Sequence, residues 1–381
     1  MTIRLFDQDV NQTDFNATVL ACEEKNGHYL VTLDQTAFFP EGGGQGADHG
    51  VLGEAQMLDA HDVGGVILHT LDKPLAVGAA VAGCVDWTRR LSMMQQHTGE
   101  HILSGIICRE HGYRNVGFHI GTEAVTVDFS GPLTQEEIRR AERQANEIVW
   151  RNVPVRAWVP DAETLAALDY RSKKAIDGDV RIVHIEGADT CACCGTHVER
   201  TGSVGQIKVI GAMNYKGGVR LSILCGMRAL GYENLQQDEN HAISHALSAK
   251  PGELTQGVQR LLDERDSLKA RCDALGQRVF TTLLNTERER PVRVLVADML
   301  APAQHRKAAA QLAEGGRYGL ILAPREAGWS FVLSSPAEDV RPAAAALCQR
   351  FGGKGGGPRD MSQGILPSGD PEAFRETLEA L

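Results

Sequence analysis

The sequence predicts a multidomain α+β protein in four successive parts. These are a small N-terminal β-barrel over residues 1–85, an α+β metal-binding domain over 86–235, a helical hairpin or coiled-coil linker over 236–290, and a small α/β domain over 291–381. Three observations carry this expectation. Short β-rich runs crowd the first part. In the second, two histidines on a helical stretch and a distant cysteine loop offer one ligand set. Beyond them, leucines at seven-residue intervals give way after Pro291 to alternating strand and helix patterns. A length of 381 residues suits two or three domains, and 43% hydrophobic content supplies their cores.

In the barrel part, β-rich runs at 17–22 and 28–33 are split by the turn pair Asn26-Gly27, and further runs follow at 66–69 and 79–85. Between them lies Asp34-Gln35-Thr36-Ala37-Phe38-Phe39-Pro40-Glu41-Gly42-Gly43-Gly44-Gln45. Three successive glycines leave backbone N–H groups bare and permit unusual φ/ψ. The stretch reads as a flexible hairpin or as a loop that approaches a ligand closely.

A helix over roughly 89–111, closed by Gly112, carries His97 and His101. Four residues apart, both imidazoles leave one face, one turn apart. Met93, Met94, Ile102, Leu103, Ile106 and Ile107 read as its core face. A strand at 124–129 precedes a charged helix at 134–152, with Thr134 as N-cap and Glu136 and Glu137 in the first turn. A short helix at 161–169 and a strand at 181–185 lead to Asp189-Thr190-Cys191-Ala192-Cys193-Cys194-Gly195-Thr196-His197. Two imidazoles, a thiolate and a third imidazole form the kind of set zinc prefers; each half alone is a weak signal, and the two together are a strong one. The nine cysteines cluster only at 191–194, a reduced, intracellular pattern rather than a disulfide framework. Strands at 205–210 and 218–224 complete this part.

Residues 237–290 read as helical, broken by Pro251-Gly252. Leu254, Leu261, Leu268 and Leu275, with Val258, Cys272 and Val279, mark a heptad seam interrupted by Arg265. A coiled coil and an ordinary amphipathic helix fit this pattern about equally. The last part reads as strand 292–297, helix 303–314, strands 318–323 and 330–334, helix 341–351, a glycine-rich loop and a final helix. That loop is no P-loop, because Lys354 is followed by Gly355. Its clustered N–H groups with Lys354 and Arg359 suit a phosphate or a sharp RNA backbone turn. A net charge of -10 argues against indiscriminate nucleic-acid binding, and aromatic content of 5% against extensive base stacking, so no DNA partner is expected. No apolar run approaches membrane-spanning length and no leader stands at the N-terminus, so a soluble, cytoplasmic protein without a membrane partner is expected.

With these motifs in this order, the chain resembles the AlaX family in its long form, free-standing relatives of the editing domain of alanyl-tRNA synthetase. The resemblance runs from Thr36-Ala37-Phe38-Phe39-Pro40-Glu41-Gly42-Gly43-Gly44-Gln45, through the His97/His101 helix and Cys193-Cys194-Gly195-Thr196-His197, to a DHHA1-type domain with Gly355-Gly356-Gly357-Pro358-Arg359-Asp360. Cys194 stands where the family usually has glycine, which leaves Cys191, Cys193 and Cys194 as candidate thiolates; alignment favours Cys193. The resemblance implies an aminoacyl-tRNA deacylase acting in trans on tRNA-Ala mischarged with serine or glycine, without aminoacylation, because the activation core has no room here. It implies one zinc per chain on His97, His101, Cys193 and His197, catalytic or structural. It also implies substrate contacts at Thr36, Gly43, Gly44 and Gln45, with Glu100, His119 and Asp128 as candidates for directing water. The tRNA would meet Arg89, Lys216 and Arg220 beside the editing site, and Lys354, Gly355, Gly356, Gly357 and Arg359 in the DHHA1 domain, which reads as RNA-binding since the Asp-His-His module of phosphoesterases is absent. A homodimer through the linker or the last domain is compatible. Competing readings are editing of another mischarged tRNA, such as seryl-tRNA-Thr, and a non-catalytic zinc-stabilised tRNA-binding module.

Overall fold

The computed structural model describes residues 1–172 and 180–381. The chain divides into two compact units, 1–239 and 240–381, each combining helices with β-sheet. No helix among the described residues is long and apolar enough to cross a membrane.

In the first unit, strands Asp14–Lys25, His28–Leu33, Val66–Leu71, Ala55–Val63, Gly50–Leu52 and Ala80–Val85 close on one another, in that order, as a barrel. Asn26 (φ 53°) and Gly27 (φ 79°) take the left-handed conformations that a two-residue hairpin turn requires. Alternation puts Phe15, Ala17 and Val19 inside, with Leu33, Phe38, Leu52, Met57, Ile67 and Leu71 from the rest of the sequence. Register shifts after Val19 and after Met57 mark bulges, which bend a strand and help the sheet close.

The histidine helix, Trp87–His111, starts at the N-cap Asp86, which accepts from Arg89 N at 3.1 Å, and ends at Gly112 with φ 68°. Nearly all of it from Met94 to Ile107 is buried, so it is the central rod of this unit rather than a surface helix. Around it lie a four-stranded antiparallel sheet (Ile207–Tyr215, Gly218–Cys225, Val125–Phe129, Asn115–Ile120), the helix Gln135–Arg151 with its Thr134/Glu137 capping box, and a three-stranded sheet (Val155–Trp158, Ile182–Ile185, Asp189–Ala192). Two glycines let this packing come close. A Cβ at Gly105 would stand 2.3 Å from Ala188 O, and one at Gly99 2.3 Å from Cys225 Sγ. Arg90, fully buried, ties the helix to the barrel part: it pairs with both oxygens of Asp48 and donates to Val10 O (2.8 Å) and Ala37 O (2.6 Å).

The helical segment begins earlier than the sequence predicts, at Gly226 rather than 237, directly after the strand Gly218–Cys225. Gly226 turns the chain with φ 56° against Gln95, whose Oε1 would be 2.2 Å from a Cβ there; periodicity alone does not register such a hinge. The helix runs to Leu247, and a second follows at Leu254–Thr286.

In the second unit, five strands are ordered Val292–Val296, Tyr318–Pro324, Trp329–Ser334, Met361–Leu366 and Lys354–Gly356, the first pair parallel and the rest antiparallel. Helices His305–Ala313, Val340–Phe351 and Pro371–Glu379 cover it. The glycine run expected as a loop is in part an edge strand. Gly355 faces Gly364 across the ladder, and a Cβ at Gly355 would sit 2.8 Å from the Phe331 ring, so glycine permits the close pairing.

Candidate metal centre

His97, His101, Cys193 and His197 each present one ligand atom, and these four atoms lie within 4.8 Å of one another. Cys193 Sγ is 3.4 Å from His97 Nε2. Tetrahedral zinc with bonds of about 2.0–2.3 Å spaces its ligand atoms roughly 3.3–3.6 Å apart, so the cluster has the right scale. Each imidazole has its other nitrogen held from outside. His97 Nδ1 meets Gln45 Oε1 at 2.9 Å, His101 Nδ1 meets Asp189 Oδ2 at 2.9 Å, and His197 Nδ1 meets Thr98 Oγ1 at 3.2 Å. The amide and carboxylate oxygens fix Nδ1 of His97 and of His101 as the N–H, and all three rings turn Nε2 inward. His197 Nε2 is buried with no hydrogen-bond partner among the described residues, an orphan that a cation would satisfy.

The electrostatics agree with the geometry. Burial opposes ionisation of Cys193, yet the neighbouring His97 and His101 outweigh it and hold the thiol well below its ordinary range. Burial likewise works against a charged His101, but the Cys193 thiolate and Asp189 raise it to about 9. Burial, with His97 nearby, lowers His197 to about 3. Thiolate and imidazolium thus neutralise each other, and a bound dication would displace the proton on His101. Of the three neighbouring thiols, Cys193 is the one grouped with the three histidines. Cys191 is pushed up to about 12 by burial and faces the Ala192 carbonyl at 3.5 Å, while Cys194 is exposed. Gly195 N donates to Cys193 Sγ at 3.4 Å, and Arg181 holds the loop through Cys193 O (3.1 Å) and Gly195 O (2.9 Å). Gly195 must be glycine, since a Cβ would strike the His97 ring at 2.1 Å.

The glycine loop meets this cluster through Gln45. Its Oε1 accepts from His97 and from Thr196 N at 3.3 Å, and its Nε2 donates to Thr196 Oγ1 at 2.7 Å, so both ends of the amide are engaged. Gly43 and Gly44 have φ of 62° and 86°. A Cβ at Gly44 would stand 2.7 Å from Phe118, and Phe118 stacks on His97 with centroids 5.0 Å apart. Thr36 is fully buried, its hydroxyl bridging Phe38 N (3.1 Å) and His69 Nε2 (2.9 Å). His69 Nδ1 donates to Val31 O at 3.1 Å, so its Nε2 is the acceptor and the Thr36 hydroxyl is the donor. Burial keeps His69 neutral, with its pKa lowered to about 4.

Of the three candidates for directing water, Glu100 lies at the cluster. It is fully buried, its Oε1 accepts from Ser104 (2.6 Å) and Asn115 (2.5 Å), and its Oε2 is 4.0 Å from His101 Nε2. His119 is exposed on the strand Asn115–Ile120. Asp128 is engaged by Arg220 through two bonds of 2.6 and 2.8 Å, and Arg220 stacks on Tyr215 at 3.9 Å. A candidate for catalysis and a candidate for RNA contact therefore hold each other. Arg89 donates to Ala47 O at 3.0 Å, and Lys216 stands at the tip of the hairpin with φ 47°. In the second unit, Lys354, Gly355, Gly356 and Gly357 line a cavity of about 500 Å³ with Arg341 and Ser362, and Arg359 is exposed nearby in sequence. Sequence reasoning passed over Phe118, Asp189, Arg171, Thr98 and His69. Only Asp189, inside the cysteine motif itself, gave a signal in the form of a carboxylate beside metal ligands.

Residues 180–222 match the threonyl and alanyl tRNA synthetase second additional domain. The chain is 31% identical over 382 residues to an alanine–tRNA ligase of Ignicoccus hospitalis, covering 96% of this chain and 41% of that protein. It is 32% identical to one of Thermofilum pendens (98% and 44%) and 33% identical to one of Pyrobaculum neutrophilum (99% and 44%). The chain thus spans about two fifths of the length of these curated relatives. On that domain and that near full-length similarity, the chain is related over nearly its whole length to a part of the alanine–tRNA ligases.

Proposed function

We propose that the chain is an aminoacyl-tRNA deacylase acting in trans, in the cytoplasm, on tRNA-Ala mischarged with serine or glycine, and that it does not aminoacylate tRNA. One observation carries the reading: the four-ligand cluster shares a hydrogen-bonded wall, Gln45–His97, with the glycine loop. A cation and a cradle for the 3′ end of an RNA would then lie side by side.

The need for such an enzyme is energetic. A pocket built for alanine rejects serine only by about a hundredfold, whereas a pocket that pairs with the serine hydroxyl discriminates by roughly 10⁴–10⁵. Thr36 fits that task. Its proton is committed to His69, so it offers a substrate a lone pair; a serine hydroxyl can donate to it, and the alanine methyl cannot. Zinc held by His97, His101, Cys193 and His197 would fix the wall of the pocket and, with one of these ligands displaced, would supply Lewis-acid polarisation at the ester. Glu100, 4.0 Å from His101 Nε2, would take a proton from an attacking water. Gly43 and Gly44, in left-handed conformations and packed on Cys194 and Phe118, would present bare backbone N–H groups to the terminal nucleotide. Arg89, Lys216 and Arg220 would follow the acceptor-stem phosphates, and Lys354 to Gly357 with Arg359 would hold RNA backbone by shape. The exposed leucine stripe of Leu254–Thr286 supports a homodimer.

Four protein ligands also favour a second reading, a closed structural zinc in a tRNA-binding module without chemistry. A panel of seryl-, glycyl- and alanyl-tRNA-Ala and seryl-tRNA-Thr separates the possibilities. Fast cleavage of seryl-tRNA-Ala with alanyl-tRNA-Ala spared is the expected result. Cleavage of seryl-tRNA-Thr instead would reassign the substrate, and binding without cleavage would establish the second reading.

A further inference from the structure

The three imidazoles of the cluster differ in what holds them. His97 leans on a neutral amide and His197 on a hydroxyl, while His101 alone has a carboxylate, Asp189, on its outer nitrogen. That carboxylate is fully used. Arg171 donates from Nε to Oδ1 at 2.7 Å and from Nη2 to Oδ2 at 2.6 Å, and Oδ2 also accepts from His101 Nδ1 at 2.9 Å. The fork is itself anchored, since Arg171 N donates to Thr190 O and Ala192 N donates to Arg171 O, both at 2.8 Å, on the strand that carries Asp189. The Asp189 side chain is 2% exposed. A buried carboxylate without such partners would be strongly unfavourable, so the Arg171 and His101 contacts are what let Asp189 stay ionised there.

We propose that Asp189, clamped by Arg171, is a positioning residue that fixes the His101 ring with Nε2 toward the metal and strengthens its hold on the ion. The inference rests on the metal reading of this cluster. A carboxylate accepting the outer N–H of a ligand imidazole fixes its tautomer, limits its rotation and makes the inner nitrogen a better donor. Arg171 acts one step further out, by keeping Asp189 ionised and oriented.

The test is zinc affinity of the full chain, stripped of metal and titrated against a competing chromophoric chelator. Asp189→Ala is expected to bind zinc about 10–100-fold more weakly. Asp189→Asn, which keeps an acceptor oxygen but not its charge, should fall between Asp189→Ala and the parent chain, several-fold weaker than the parent, and Arg171→Met should lose less than Asp189→Ala. The cobalt-substituted protein gives a readout that simple destabilisation would not move: its ligand-field bands should shift in Asp189→Asn. Should Asp189→Ala fail to fold, Asp189→Asn decides. Affinity within twofold of the parent chain together with an unshifted cobalt spectrum would overturn the inference and leave the metal reading intact. A parent chain that binds no zinc would remove both.

Discussion

At Thr36 the hydroxyl is held between a backbone N–H and the neutral His69 ring, with nothing else polar needed to satisfy it. Thr36→Val would leave the Phe38 N–H and His69 Nε2 without their partner, at a cost of about 1–3 kcal/mol in stability. It should also collapse selectivity, so that the ratio of seryl- to alanyl-tRNA-Ala hydrolysis falls by at least tenfold in single-turnover assays; an unchanged ratio would remove Thr36 from substrate recognition. His69 makes a separate prediction. Burial lowers its pKa from 6.5 to about 4. Between those values the unfolded chain holds a proton that the native chain does not. Stability linked to His69 is therefore complete above pH 6.5 and declines by roughly 3 kcal/mol as pH falls through 4. Urea denaturation at pH 7 and pH 5 should show a steeper loss in the parent chain than in His69→Gln, and equal losses would contradict the buried neutral ring.

Among the elements, the histidine helix packs tightly on its neighbours, and glycine makes that possible. Gly105→Ala places a methyl on Ala188 O, beside the strand Asp189–Ala192, and should destabilise the first unit by about 1–3 kcal/mol and weaken metal binding, as checked by denaturation and zinc titration. Exposed glycines with open space around them, such as Gly231, should tolerate the same change. How far the elements were legible in sequence follows from how local their causes are. His97 and His101 declare themselves because a helix repeats every 3.6 residues, and Cys193 and His197 because a tight glycine-containing loop brings them together. The Asn26-Gly27 hairpin and the Thr134 capping box are likewise local signals. The Asp128–Arg220 pair is not, because it depends on the register of Val125–Phe129 against Gly218–Cys225, fixed by cross-strand packing. The same holds for Gln45, whose contact with His97 spans the fold, and for the edge strand Lys354–Gly356, whose glycines look like a loop until Phe331 is seen beneath them.

At the scale of the whole molecule, a net charge of -10 has to be reconciled with the RNA partner proposed above. Positive charge grouped at the Lys216 hairpin and at the Lys354 edge strand can bind phosphates while the rest of the surface discourages indiscriminate binding, and such binding should weaken steeply with salt. Leu261, Leu268 and Leu275 are 55%, 49% and 55% exposed on one long helix, a stripe suited to a second copy of the chain. Leu261→Ser with Leu268→Ser should shift sedimentation from dimer to monomer; a parent chain that sediments as a monomer would end that idea. Chemistry at the cluster is tested most directly by hydrolysis of seryl-tRNA-Ala against alanyl-tRNA-Ala by the zinc-loaded protein, by the chelated protein and after zinc is restored. Rapid release of serine only, abolished by the chelator and recovered with zinc, is the expected result. Equal rates for the two esters, or a rate indifferent to the metal, would contradict it.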